Sequence, residues 1–180
     1  MIDATDWVAL LRGVNVGGIS IRSAELASVF TDLGFEAVRT VLASGNVTFR
    51  ADVAASDRPR LKAAIESRLR TTFGYDAWIV LVTAAELAAA ADAFPFDAAD
   101  ASRQPWVLFC VDEETRDELV KASSEMDAAT DPVAAGPGVV YWNPVKGTTL
   151  DTPVAKLLAK AAYKPRTTNR NLRTVRRILG

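Results

Sequence analysis

The chain has no histidine and a single cysteine, Cys110. Without histidine there is no imidazole base for Ser-His-Asp or Cys-His catalysis, and with only one cysteine besides, zinc held by His or Cys ligands is excluded. One cysteine cannot close an intrachain disulfide, so the core alone must hold the fold. Long apolar runs are also missing. The most apolar, Trp78 to Val82 and Trp106 to Val111, are five or six residues long, whereas a membrane-spanning helix needs about 20. Met1 to Trp7 carries Asp3 and Asp6 where a secretory leader needs a basic and then an apolar stretch, so a cytoplasmic location with no membrane partner is expected. Acids are absent from one region: none follows Asp151, while Lys156, Lys160, Lys164, Arg166, Arg170, Arg173, Arg176 and Arg177 all do. These last residues carry +8 against −9 for residues 1–155. Such a segment can dock on an acidic body or bind an external polyanion.

What is present is enough for a core. A chain of 180 residues, 49% hydrophobic, makes one generous domain or two small ones and can bury roughly 70% of its unfolded surface. Trp7 to Leu11 is an apolar run of strand length, followed by the glycine-rich Gly13 to Gly18. Leu26, Val29, Phe30 and Leu33 recur at helical spacing before Gly34. Val38 to Leu42 and Val47 to Arg50 flank Ser44-Gly45-Asn46, the signal of a hairpin. Pro59, a face of Leu61, Ala64, Ile65, Leu69 and Phe73, and then Gly74 delimit a second helix, and a strand over 77–82 follows. Thr83 and Glu86 have the spacing of a capping box. After a polar linker the pattern restarts: a strand over 106–111, a helix capped by Asp112, a hairpin around Gly136-Pro137-Gly138, and a helix from Thr152-Pro153 through Ala161. Pro165 then breaks the chain, and a last helix is expected from about Asn169 to Leu179.

The order is βαββαβ and then βαββα, so the expected fold class is α+β: two linked ferredoxin-like subdomains with antiparallel sheets, plus a C-terminal helix. The first is expected over residues 1–82, a helix and linker over 83–105, and the second with the basic helix over 106–180. Three segments, Leu11-Arg12-Gly13-Val14-Asn15-Val16-Gly17-Gly18, Ser44-Gly45-Asn46-Val47-Thr48-Phe49 and Thr168-Asn169-Arg170-Asn171-Leu172-Arg173-Thr174-Val175, resemble the signatures of the domain of unknown function 1697 family. The similarity spans essentially the whole chain. It implies two linked ferredoxin-like α/β subdomains and brings no established activity, cofactor or catalytic residue. Members commonly carry lysine in the loop after Gly-Gly, where this chain has Arg22, and an aromatic after the Arg-Asn of the tail, where it has Leu172.

Two constellations could carry chemistry. A ferredoxin-like sheet, of strand order 4-1-3-2, brings the end of the first strand to the start of the third. Arg12, Asn15, Gly17 and Gly18 are thereby expected beside Ser44, Gly45 and Asn46. Loop amides at a helix start suit a phosphate or carboxylate, although the spacing is neither a Walker A loop nor Gly-x-Gly-x-x-Gly. The competing interpretation gives the glycines to backbone angles and has Asn15 and Asn46 hold the loops together. The second constellation is the basic tail. Leu172, Val175 and Leu179 form an apolar face, with Arg170, Arg173 and Arg177 opposite, and Lys156, Lys160 and Arg166 extend a track that could straddle phosphates. Strand aromatics are too few for an RNA-recognition module, and Trp7, Trp78, Trp106 and Trp142 are expected in the core. Cys110, inside an apolar strand, is expected to be an inert thiol. No metal site, cofactor or acid/base pair is expected. The function favoured by these residues is binding of a phosphate-bearing ligand, nucleic acid or small molecule. An enzyme acting on a small anionic metabolite and a structural or protein-interaction module are the alternatives.

Overall fold

The computed structural model describes residues 5–14 and 19–180. Asn15, Gly17 and Gly18 therefore lie outside the described residues. The chain divides into two units, Met1–Glu86 and Leu87–Gly180, and each has a four-stranded antiparallel sheet.

In the first unit, β1 (Thr5–Arg12) is followed by α1 (Ser23–Asp32), β2 (Glu36–Thr40), β3 (Asn46–Ala51), α2 (Arg58–Phe73) and β4 (Trp78–Thr83). The strand order is β2-β3-β1-β4. Successive strand residues point to opposite faces, so the apolar run Trp7 to Leu11 needs both faces covered, and all five side chains are buried. Trp7, Ala9 and Leu11 join Phe49, Ile79 and Leu81 in a core with Leu26, Val29 and Phe30 of α1 and Leu61, Ile65 and Leu69 of α2. Burying each large apolar side chain contributes roughly 1.5–3 kcal/mol. Val8, Leu10, Val80 and Val82, on the alternate face, are buried as well. Gly74 closes α2 at φ +70°, where its N–H donates to Arg70 O at 2.9 Å.

Thr83 and Glu86 form the expected reciprocal cap: the Thr83 N–H donates to Glu86 Oε2 at 2.8 Å and the Glu86 N–H to Thr83 Oγ1 at 3.1 Å. This opens α3 (Ala84–Asp92). The second unit continues with β5 (Trp106–Cys110), α4 (Glu113–Ser123), β6 (Val133–Gly136), β7 (Val139–Trp142), α5 (Pro153–Leu158), β8 (Thr167–Asn171) and α6 (Leu172–Leu179), in strand order β6-β7-β5-β8. Leu108, Cys110, Val140 and Trp142 pack with Leu119 of α4 and with Val154, Leu157 and Leu158 of α5. Val107, Phe109, Val139 and Tyr141, which point the other way, are also buried. Among the described residues one acid is interior: Asp131, 2% exposed, accepts from the indole N–H of Trp142 and from the Val154 N–H at 3.0 Å, tying β7 to the start of α5.

The second half departs from expectation at its end. It is βαββαβ rather than βαββα, because residues 167–171 form a fourth strand paired antiparallel with β5. Thr167 to Asn171 contains no apolar residue, so hydrophobic alternation gave no strand signal there, yet Thr167, Thr168 and Arg170 are buried. The last helix consequently begins at Leu172, with the Asn171 side chain accepting from the Arg173 N–H at 3.0 Å. Its buried face is Leu172, Val175 and Ile178, whereas Leu179 is exposed. The preceding helix stops at Leu158, short of Ala161.

Candidate functional site

At the end of the first sheet, Leu10 pairs with Asn46, and the Leu11 N–H donates to Gly45 O at 2.8 Å. Gly45 has φ +76°, and a Cβ there would stand 2.9 Å from Leu11 Cβ, so the turn can close onto β1 only where no side chain intervenes. Asn46 is wholly buried; its Nδ2 donates to Val41 O at 2.7 Å and to Ser44 Oγ at 2.9 Å. The amide thus holds its own hairpin. Arg12 ends β1, half-buried, and burial lowers its guanidinium pKa from the usual value. Arg12, Ser44, Gly45 and Asn46 meet at one end of this sheet.

The cations expected as one basic track are dispersed. Lys156, Lys160, Arg173 and Arg177 are exposed. Arg166 is clamped by Glu118, with Nη1 donating to Oε2 at 2.8 Å and Nη2 to Oε1 at 3.2 Å, while its Nε donates to Thr115 Oγ1 at 3.0 Å. Arg170 is not on the outer face of a helix. It lies on β8 opposite Val107, 6% exposed, and its Nη1 donates to Thr168 Oγ1 and Asn169 O, both at 2.8 Å. Burial brings its pKa down to about 10. The strand captures Arg170 because pairing with β5 satisfies the backbone of residues 167–171, which the helix expected from Asn169 would have had to use.

The second unit contains an open groove of about 760 Å³, walled by residues 98–101 and 103–105, Lys146, Asn171 at the end of β8, and residues 172–174 and 176 of α6. Backbone bonds fix these walls: the Leu172 N–H donates to Pro105 O at 2.9 Å, Gln104 N–H to Pro144 O at 3.0 Å and Lys146 N–H to Ser102 O at 2.8 Å. Four cations line the groove: Arg103, Lys146, Arg173 and Arg176. Arg103 gives its guanidinium N–H groups to the carbonyl oxygens of Ala129, Thr130 and Asn143 and makes no ion pair among the described residues, although its charge acts on Asp100 of the same groove. Lys146, Arg173 and Arg176 make no ion pair among the described residues. Asp100 is the one carboxylate in the described lining; hydrogen bonds from Ser102 Oγ and N–H, at 2.6 and 2.9 Å, hold its pKa below the usual value. Sequence reasoning named Arg173 but missed Arg103, Lys146 and the role of Arg176. The bridge between Arg103 and Val145 that assembles this corner joins residues far apart in the chain.

Other chemistries find less support. Cys110 is buried, and desolvation, with Asp112 second, pushes its thiol up to about 12, leaving it protonated near neutral pH. Among the described residues no cluster of His, Cys, Asp or Glu suited to a metal is present, and no helix is long and apolar enough to cross a membrane. Base stacking on a sheet needs an open face carrying aromatics, and Val8, Leu10, Val80 and Val82 are not open.

Comparison with known proteins places the chain without assigning a reaction. The model of a family described as protein of unknown function (DUF1697) matches residues 4–141. No curated protein matches. Among solved structures, the conserved bacterial protein SP0830 from Streptococcus pneumoniae is similar, with a TM-score of 0.80 and 22% identity over 98% of this chain and 97% of that one. That identity supports a shared fold alone.

Proposed function

We propose that this chain, which belongs to the DUF1697 family of proteins of unknown function, is a binding protein for a phosphate-bearing ligand and carries that site on its second unit. The observation behind the proposal is the groove where Lys146, Arg173 and Arg176 converge without a carboxylate partner among the described residues. Like charges repel, and a fold gains nothing by leaving them together unless an anion joins them. Arg177, Lys156 and Lys160 add exposed positive charge outside the groove, which favours approach of a polyanion. Arg12, Ser44, Gly45 and Asn46 then serve chiefly to close the β2–β3 hairpin onto β1. In the same proposal each unit is a ferredoxin-like fold, supported by the antiparallel order β2-β3-β1-β4 and its counterpart β6-β7-β5-β8.

Fluorescence anisotropy of labelled RNA and DNA, single- and double-stranded, tests the binding. A ligand that neutralises three cations should weaken by about 20- to 40-fold between roughly 50 and 200 mM salt. The K146Q/R173Q/R176Q variant should lose this response with an unchanged melting temperature. Salt-independent binding, or full binding by the variant, would remove phosphate recognition from the groove.

A further inference from the structure

We infer that the groove takes a compact oligophosphate, several phosphoryl groups joined in a short chain, and recognises it without regard to any attached base. The inference rests on the binding proposed above and narrows its ligand class. Three features carry it. First, the cations come from separate segments, Arg103 from the connection before β5, Lys146 from the loop after β7, and Arg173 with Arg176 from α6, yet they line one space. Charge approaching a single volume from several walls suits a ligand of high charge density, whereas an extended strand is met by a track of cations. The basic track expected along the tail is interrupted, because Arg166 is bound to Glu118 and Arg170 is buried.

Second, no aromatic side chain belongs to the described lining. Binding of unpaired nucleotides relies on rings or guanidinium planes that stack on bases, and here nothing in the described lining but the arginines could do so. The uncharged polar groups, Gln104 and Thr174 among them, can donate to phosphoryl oxygens, and Thr149 Oγ1 orients Gln104 by donating to its Oε1 at 2.8 Å. Third, about 760 Å³ lies within the size range of small-molecule sites, roughly 300–1,000 Å³. It is room for a nucleotide-sized molecule, with or without its base. Asp100, the one acid of the described lining, is held by Ser102 and lies under the charge of Arg103, so four cations face an incoming anion against a single carboxylate.

Calorimetric titration of the full chain with orthophosphate, pyrophosphate, inorganic triphosphate, ATP and CTP tests the assignment, together with competition against a labelled single-stranded oligonucleotide. Affinity should rise about fivefold or more with each added phosphoryl group, and ATP and CTP should agree within about threefold. K146Q/R173Q/R176Q should weaken triphosphate by about 30-fold or more, R60Q/K121Q, which changes two exposed cations outside the groove, by less than about twofold, and K146R/R173K/R176K should recover most of the loss. Triphosphate binding no tighter than orthophosphate, a base preference above about tenfold, or a triple variant that binds normally would each overturn it. Oligonucleotide binding that vanishes in the triple variant, while triphosphate neither binds nor competes, would overturn the oligophosphate assignment and leave the broader proposal standing. Failure of both ligands against the wild-type chain would overturn both.

Discussion

In the first unit Arg50, Arg58, Lys62, Arg68 and Arg70 each sit within ion-pair distance of an acid: Asp6, Glu86, Glu66, Asp32 and Asp76 respectively. In the second unit the pairs involve Arg116 and Arg166, while Lys146, Arg173 and Arg176 surround a groove unpaired among the described residues. Both units have a four-stranded sheet and nearly balanced charge, so neither topology nor net charge accounts for the contrast. Placement does. The second unit's acids all precede residue 152 and its bases crowd toward the end, so strand pairing and helix packing decide which bases meet an acid. Exposed ion pairs are worth little, typically about 0–1 kcal/mol, and the second unit forgoes little stability by leaving cations unmatched.

Its cohesion should come instead from interior hydrogen bonds, and the largest expected effect is there. Asp131→Ala leaves the Trp142 indole and the Val154 N–H without their acceptor, and should cost about 3–5 kcal/mol by urea titration. A cost below that of removing a surface pair would erase the proposed contrast. In the first unit the corresponding weak point is backbone: Gly45→Ala adds a Cβ against Leu11 at positive φ, and should cost about 2–3 kcal/mol. A tolerated alanine would mean that the hairpin can lift from β1.

A smaller effect depends on pH. Asp112 accepts from Thr115 Oγ1 and N–H, which holds its pKa below the ordinary carboxylate value. A carboxylate depressed in the folded state stabilises above its unfolded pKa, and that contribution is lost as pH falls through the folded one. Asp112→Ala should therefore cost about 1 kcal/mol at neutral pH, with the gap from wild type closing below the ordinary carboxylate range in melts across acid pH. The smallest effect bears most directly on the two surfaces. Arg68→Gln, which breaks the pair with Asp32, should lower stability by up to about 0.5 kcal/mol, while Arg176→Gln should leave it unchanged or raise it slightly. The reverse ranking would mean that the groove's cations have been satisfied by the fold after all.

Elements that bury a periodic apolar face were legible in the amino-acid order. Leu26, Val29 and Phe30 of α1 and Leu61, Ile65 and Leu69 of α2 are spaced for one side, and the caps at Thr83, Asp112 and Thr152 rest on residue types that act within a few positions. β8 was not legible, because its inward residues are threonines and an arginine, side chains that ordinarily mark a surface. The groove was hidden for a different reason. Arg103, Lys146 and Arg173 are neighbours only through the Arg103–Val145 bridge and the bond from Leu172 to Pro105, and no short-range spacing encodes either.

The junction between β8 and α6 has no linker: Asn171 is the last residue of the strand and the cap of the helix. Arg173 and Arg176 are consequently indexed to the hydrogen-bond ladder between β5 and β8, as teeth are to a gear. A slip of one residue would turn Arg170 out of the interior and advance the helix by about 3.3 Å, so the buried arginine acts as the key that admits a single setting. A ligand arriving at the groove meets side chains borne on a backbone with no slack to remove. The entropy of ordering that segment is settled when the protein folds, and not each time it binds.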